Sequence, residues 1–204
     1  ALISWESDPD ISAVVINAEG EKAFCAGGDI INIYREGKRR NFNYGQEFWA
    51  NEYRLNLKIA RYKKPYLAFM QGFTMGGGVG ISCHGSHRIV GENSIISMPE
   101  CGIGLVPDVG GSFLLARLKQ NIGTYLGTTA YRMDAGDSIF CQFADHYIPI
   151  KFWPNTIEEL AKNGDVDYAI TKYQQEAPEN RLTKIVPIIE EVMEPTDYHH
   201  LEKR

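Results

Sequence analysis

The chain has 204 residues, 44% of them hydrophobic and 23% charged, with a formal net charge of −5. That composition belongs to a globular protein with a sizeable core, in one domain or one domain with a smaller appendage. The acidic balance argues against general nucleic-acid or membrane-surface binding, and no run reaches the ~18 apolar residues of a membrane span.

The N-terminal ALISWESDPD is acidic and lacks the layout of a signal peptide, so no targeting segment is expected within this chain. ISAVVINA (11–18) reads as a buried strand, followed by a loop, EGEKAFCAGGDI. From Ile30 the pattern is helical until the glycine- and base-rich stretch 37–45 interrupts it. The run REGKRRNF (35–42) clusters Lys38, Arg39 and Arg40. Such a run is a solvated loop, or a patch for a phosphorylated ligand or RNA. QEFWANEYRLNLKIARY (46–62) reads as an amphipathic helix stopped by Pro65.

PYLAFMQG (65–72) is a second strand. The glycines of TMGGGVG follow, and VGISCHGSH begins as a helix. HRIVGENSIISMPE (87–100) reads as strand, turn and strand. Next come a loop, CGIGLVPDVGG, a helix over SFLLARLKQ (112–120), and a weaker helix in NIGTYLGTTAYRM. DAGDSIFCQFADHYIP ends in a short strand. IEELAKNG and VDYAITKYQQEA are helical in period, and Pro187 breaks or starts a helix in RLTKIVPIIEEVME. The tail DYHHLEKR, with His199 and His200, has no pattern. Strand and helix alternate through 11–150, which favours an α/β architecture. Residues 1–150 form the expected core and 151–204 a helical C-terminal region.

Glycines set between a strand end and a helix start let a ligand approach the backbone without meeting a Cβ. The turns AGGD (26–29) and GGG (76–78), face to face, would offer two N–H donors to an oxyanion. Tight packing of strand against helix is the alternative use. The dinucleotide pattern GxGxxG fails at Ile81, and no GxxxxGK[ST] phosphate loop is present.

Glu100 and Asp108 sit in apolar, Gly/Pro-rich surroundings. Burial would raise a carboxylate's pKa and suit it to proton transfer, whereas a turn or cap role is the structural alternative. Glu52 lies among Phe48, Trp49, Tyr53 and Leu55, and so borders an inward face. His84 and His87 beside Cys83 have a spacing that could bind metal, but no carboxylate stands at ligand distance. Cys25, Cys83, Cys101 and Cys141 form no CxxC pair, which fits a reducing compartment better than a zinc or disulfide scaffold. Cys25 adjoins the AGGD turn and is a conceivable nucleophile. No GxSxG elbow occurs.

Together, KAFCAGGDI (22–30), QGFTMGGGVGISCHGSHRIV (71–90) and SMPECGIGLVPDVGGSFLLARL (97–118) resemble the crotonase (enoyl-CoA hydratase/isomerase) superfamily. The set AGGDI, TMGGGVG, MPE and PDVGG resembles its 3-hydroxyisobutyryl-CoA hydrolase group in particular. Hydratases of the superfamily carry a second glutamate where this chain has Gly80. The resemblance implies a spiral of ββα units and hydrolysis of an acyl-CoA thioester in valine degradation. Gly28 and Gly77 would hold the thioester oxygen, with Glu100 as nucleophile or general base. Asp108 would assist proton transfer, Glu52 would contact substrate, and Ala26, Gly27, Asp29 and Ile30 would pass the CoA. No cofactor is implied, coenzyme A being part of the substrate, and self-association is left open. A eukaryotic source would place such an enzyme in the mitochondrial matrix, a bacterial one in the cytoplasm. The match begins inside the superfamily's N-terminal region and fades after residue 150, so a fragment, or a chain with skipped residues, is expected. Two alternatives are an enoyl-CoA hydratase/isomerase and an assembly subunit of a larger complex, such as a mitochondrial ribosome. Nucleic-acid contact is expected only in the last case.

Overall fold

Short, apolar parallel strands build the frame. The computed structural model describes residues 1–193, so His199 and His200 lie outside the described residues. In chain order the elements are α1 (Leu2–Ser7), β1 (Val14–Ile16), β2 (Ala23–Cys25), α2 (Ile30–Lys38) and α3 (Phe42–Ala60). Then come β3 (Tyr66–Phe69), β4 (Phe73–Met75), α4 (Gly77–Ser82), β5 (His87–Val90), β6 (Ile95–Ser97) and a 3-10 turn at Glu100–Ile103. They are followed by α5 (Gly111–Leu115), α6 (Ile122–Thr129), α7 (Ala135–Phe140) and β7 (His146–Tyr147). α8 (Trp153–Asn163), α9 (Val166–Tyr173) and α10 (Val186–Val192) complete them.

The strands divide between two parallel sheets, one of order β1-β3-β5-β7 and one of order β2-β4-β6. Each pass of the chain adds one strand to each sheet before the next pass, which is the crotonase-type spiral. β3 shows how the core is sorted. Its four residues are all buried, as a strand covered on both faces must be. Alternation then sends Tyr66 and Ala68 to one cluster with Val79 and Val109, and Leu67 and Phe69 to another with Ile89 and Trp153. α8 and α9 close the second cluster through Leu160, Val166 and Ile170.

Several elements differ from the sequence expectation. β2 lies inside the stretch read as a loop, and β4 inside the glycine segment. Three-residue strands are too short for a period, and only their parallel pairing defines them. The break between α2 and α3 narrows to 39–41, with Arg40 at φ +62, because Gly37 and Gly45 are absorbed into the helices. α5 ends at Leu115 rather than near 120. There α6 packs Gly123 directly on the Leu115 carbonyl, and Gln120 and Asn121 turn the chain at φ +59 and +57. Pro187 stands in the first turn of α10, where its missing N–H costs nothing, so it starts the helix. Among the described residues no helix is long and apolar enough to cross a membrane.

Candidate active site

The parallel pairing of β2, β4 and β6 decides where the loops go. Cys25 is in register with Thr74, and Met75 with Ser97. The segments leaving the three strands, 26–29, 76–77 and 98–100, therefore emerge side by side at one end of the sheet. That end is where parallel sheets place their ligands.

The two glycine turns come into near contact there. Gly27 has φ +107 and Gly76 φ +53, conformations that residues with a Cβ rarely adopt. A Cβ placed on Gly77 would lie 2.6 Å from Glu52 Oε1 and 3.5 Å from the Gly28 nitrogen. One on Gly76 would lie 3.2 Å from Glu100 Oε1. Two carboxylates thus flank two facing stretches of bare backbone. Gly77 is the first residue of α4, where a backbone N–H has no partner within the helix, and the Gly28 nitrogen lies beside it.

These groups border a cavity of about 740 Å³. Ala26, Gly27, Gly28, Gly77, Glu52, Glu100 and Asp108 line it together with Ile30, Ile31, Tyr34 and Trp49, and Phe48 packs its ring edge onto Gly28. Asp29 does not line it. Its carboxylate caps α2 instead, accepting the Asn32 N–H at 3.0 Å. Arg39 of the basic run pairs with Glu36, and Lys38 lies 6.0 Å from the Tyr34 ring. A second cavity of about 810 Å³ opens between the 101–107 segment, α5 and α6, but no charged side chain lines it.

Glu100 is 5% exposed, and among the described residues neither of its carboxylate oxygens has a hydrogen-bond partner. Burial pushes its pKa up to about 7, with repulsion from Asp108 and Glu52 adding to the effect. Glu52, half-buried, is also raised by burial and by Asp108. Asp108 accepts a 2.8 Å hydrogen bond from the Tyr53 hydroxyl. It stands before Val109, a β-branched residue at φ +43 and a genuine backbone outlier.

The other candidates lie elsewhere. Cys25 Sγ is 4.0 Å from the Gly27 carbonyl and does not line the cavity. Burial raises the Cys83 thiol to about 11 and the Cys141 thiol to about 12. His84 and His87 diverge, His84 Nε2 to the Val109 carbonyl at 2.7 Å and His87 Nδ1 to the Ser86 hydroxyl at 2.9 Å. Among the described residues no group of three His, Cys, Asp or Glu is placed to hold a metal ion.

Tyr53, Asn56 and His84 went unnoticed in the sequence as parts of this site. Asn56 is 5% exposed, and both polar atoms of its amide lack partners. It stands four residues after Glu52, one turn along the same face of α3, so helical spacing alone could have flagged it.

Comparison with known proteins shows the family. A family model described as Enoyl-CoA hydratase/isomerase matches residues 1–203. A mitochondrial 3-hydroxyisobutyryl-CoA hydrolase of Xenopus tropicalis is 44% identical over 156 residues, covering 76% of this chain and 40% of that protein. The Danio rerio protein of the same name is 40% identical over 185 residues, covering 86% and 47%. The chain thus spans less than half the length of these curated relatives. A solved structure described as an enoyl-CoA hydratase from Rhodobacter sphaeroides superposes with a TM-score of 0.89 at 49% identity. That match covers 96% of this chain and 56% of the other. One described as a carnitinyl-CoA dehydratase from Mycobacterium thermoresistibile gives 0.92 at 38% identity, covering 97% and 58%. The chain belongs to the enoyl-CoA hydratase/isomerase family, the crotonase superfamily.

Proposed function

We propose that this chain carries the reaction centre of an acyl-CoA thioester hydrolase acting on 3-hydroxyisobutyryl-CoA. The observation that carries the reading is the buried Glu100 carboxylate, without a hydrogen-bond partner among the described residues, beside two facing glycine turns. The Gly28 and Gly77 N–H groups hold the thioester oxygen as negative charge develops on it. Glu100 takes a proton from the attacking water, or attacks the carbonyl carbon itself. Asp108, oriented by Tyr53, assists the proton transfer. The C–S bond breaks and coenzyme A leaves as a thiolate, which needs little acid help. Glu52 contacts the acyl portion, and the 26–30 turn passes the CoA chain. The names of the relatives support this substrate, and their mitochondrial designation supports that compartment for a eukaryotic source.

Position 80 supports hydrolysis over hydration. A Cβ there would lie 2.7 Å from Asn56 Nδ2 and 2.8 Å from Val109 Cβ, leaving no room for a second catalytic glutamate. One arrangement favours hydration instead. Glu52 and Glu100, both raised by burial, flank the same glycine turn and would form an acid–base pair. The description of the Rhodobacter sphaeroides structure points the same way. Following CoA release from 3-hydroxyisobutyryl-CoA with a thiol reagent, beside hydration of crotonyl-CoA, separates the two. Hydrolysis predicts CoA release with hydration at background. Faster hydration of crotonyl-CoA than CoA release would overturn it.

A further inference from the structure

The turn that carries Asp108 is held from behind. Asp108 and Gly111 close it with a 2.5 Å bond from the Gly111 N–H to the Asp108 carbonyl. Between them Val109 sits at φ +43, a strained conformation for a β-branched residue. Such a conformation persists only when its surroundings over-determine it, and here two contacts do so. The Val109 side chain is 1% exposed and packs on the bare backbone of Gly80. The Val109 carbonyl bonds to His84 Nε2 at 2.7 Å. A carbonyl can only accept, so Nε2 carries the proton. The next residue, Gly110, lies flat on the same imidazole, where a Cβ would come 2.6 Å from Nε2. Gly80 lies in α4 and His84 in the turn just after it, so together they present a seat with one bare position and one donor.

We propose that His84 is a positioning residue for Asp108, acting through the Val109 carbonyl. It holds the strained turn so that the carboxylate faces the cavity and the Tyr53 hydroxyl. The inference rests on the proposed use of Asp108 in the reaction. Gly80 is the other half of the seat. A side chain at that position displaces Val109 and with it Asp108.

The test is a double-mutant cycle on CoA release, combining His84→Ala with Asp108→Asn, with His84→Gln as the donor-retaining variant. Misplacement of a reacting group lowers kcat by roughly ten- to a hundredfold, so His84→Ala should fall by that much with KM within about twofold. His84→Gln should recover most of the loss. In the Asp108→Asn background, His84→Ala should cost less than about twofold more, because the group it positions is already gone. Hydrogen exchange at the Gly111 amide reads the turn without any activity, and His84→Ala should accelerate it. Losses that multiply in the double variant, or an unchanged Gly111 exchange rate, would overturn the proposal. If Asp108→Asn leaves the rate unchanged, the proposed use of Asp108 falls, and the Gly111 exchange still decides whether His84 holds the turn.

Discussion

Two buried carboxylates in this molecule face opposite circumstances. Asp137, in α7, is fully buried and saturated with donors. It accepts from the Arg181 N–H at 2.7 Å, the Leu182 N–H at 3.1 Å, the Tyr131 hydroxyl at 3.1 Å and the Arg181 guanidinium at 3.0 Å. It ties the segment before α10 to the core. Glu100 is nearly as buried and has no hydrogen-bond partner among the described residues. An ionised carboxylate without compensation is expensive in such a place, and the group answers by holding its proton more tightly. The paired carboxylate is a structural anchor. In the proposed reaction the unpaired one is the site of proton transfer, its partner supplied by the substrate or water.

The contrast is broken most directly by removing each charge. Glu100→Gln should lower CoA release by about 10²–10⁴-fold, the usual contribution of a positioned acid or base, while thermal unfolding at low pH, where Glu100 is protonated in both the folded and the unfolded chain, stays near wild type. A large loss of stability in that variant would put Glu100 in the same class as Asp137. Asp137→Ala should do the reverse, leaving the buried Leu182 N–H and the Arg181 N–H without their acceptor while Arg181 keeps its pair with Asp134. Its unfolding free energy in urea should fall by about 1–3 kcal/mol, with activity per folded molecule retained.

Stability against pH sharpens the same point. The Glu100 pKa is raised in the folded state from the ordinary 4.5 to about 7. The native protein therefore binds the extra proton between those values, and its contribution is fully present below about pH 4.5. Stability should decline as pH rises through about 7, by up to about 3 kcal/mol. The Glu100→Gln variant should lack that decline, and denaturant titrations across the range would measure it. The smallest effect is expected from Tyr53→Phe. Losing one donor to Asp108 is worth about 1 kcal/mol, so kcat should fall about fivefold with little change in melting temperature.

Much of the site was legible because its chemistry is local in the chain. A glycine pair before Asp29, a glycine triplet at 76–78, a glutamate after Met-Pro and an aspartate before Val-Gly-Gly are visible as strings. The framework was less so. β2 and β4 are three residues each, and only their pairing across some fifty residues of chain makes them strands. The sequence showed helical period in α3 but not its true start, because Gly45 is buried against Trp49 and tolerated inside the helix. The supporting residues were hidden for a similar reason. Tyr53 meets Asp108, and His84 meets Val109, across separations that no local pattern encodes. His84 looked like half of a metal motif until the fold turned its ring toward a carbonyl.

The central claim is that Glu100, buried and unpartnered, is the group whose deprotonated form drives thioester hydrolysis. The most direct measurement is kcat/KM for CoA release from 3-hydroxyisobutyryl-CoA against pH, in wild type and Glu100→Gln. If Glu100 is the base, the rate should rise with pH through a midpoint near 7, the value to which burial moves it, and the variant should lose that limb. An ascending limb centred near 4.5, or a variant that keeps both the limb and the wild-type rate, would contradict it.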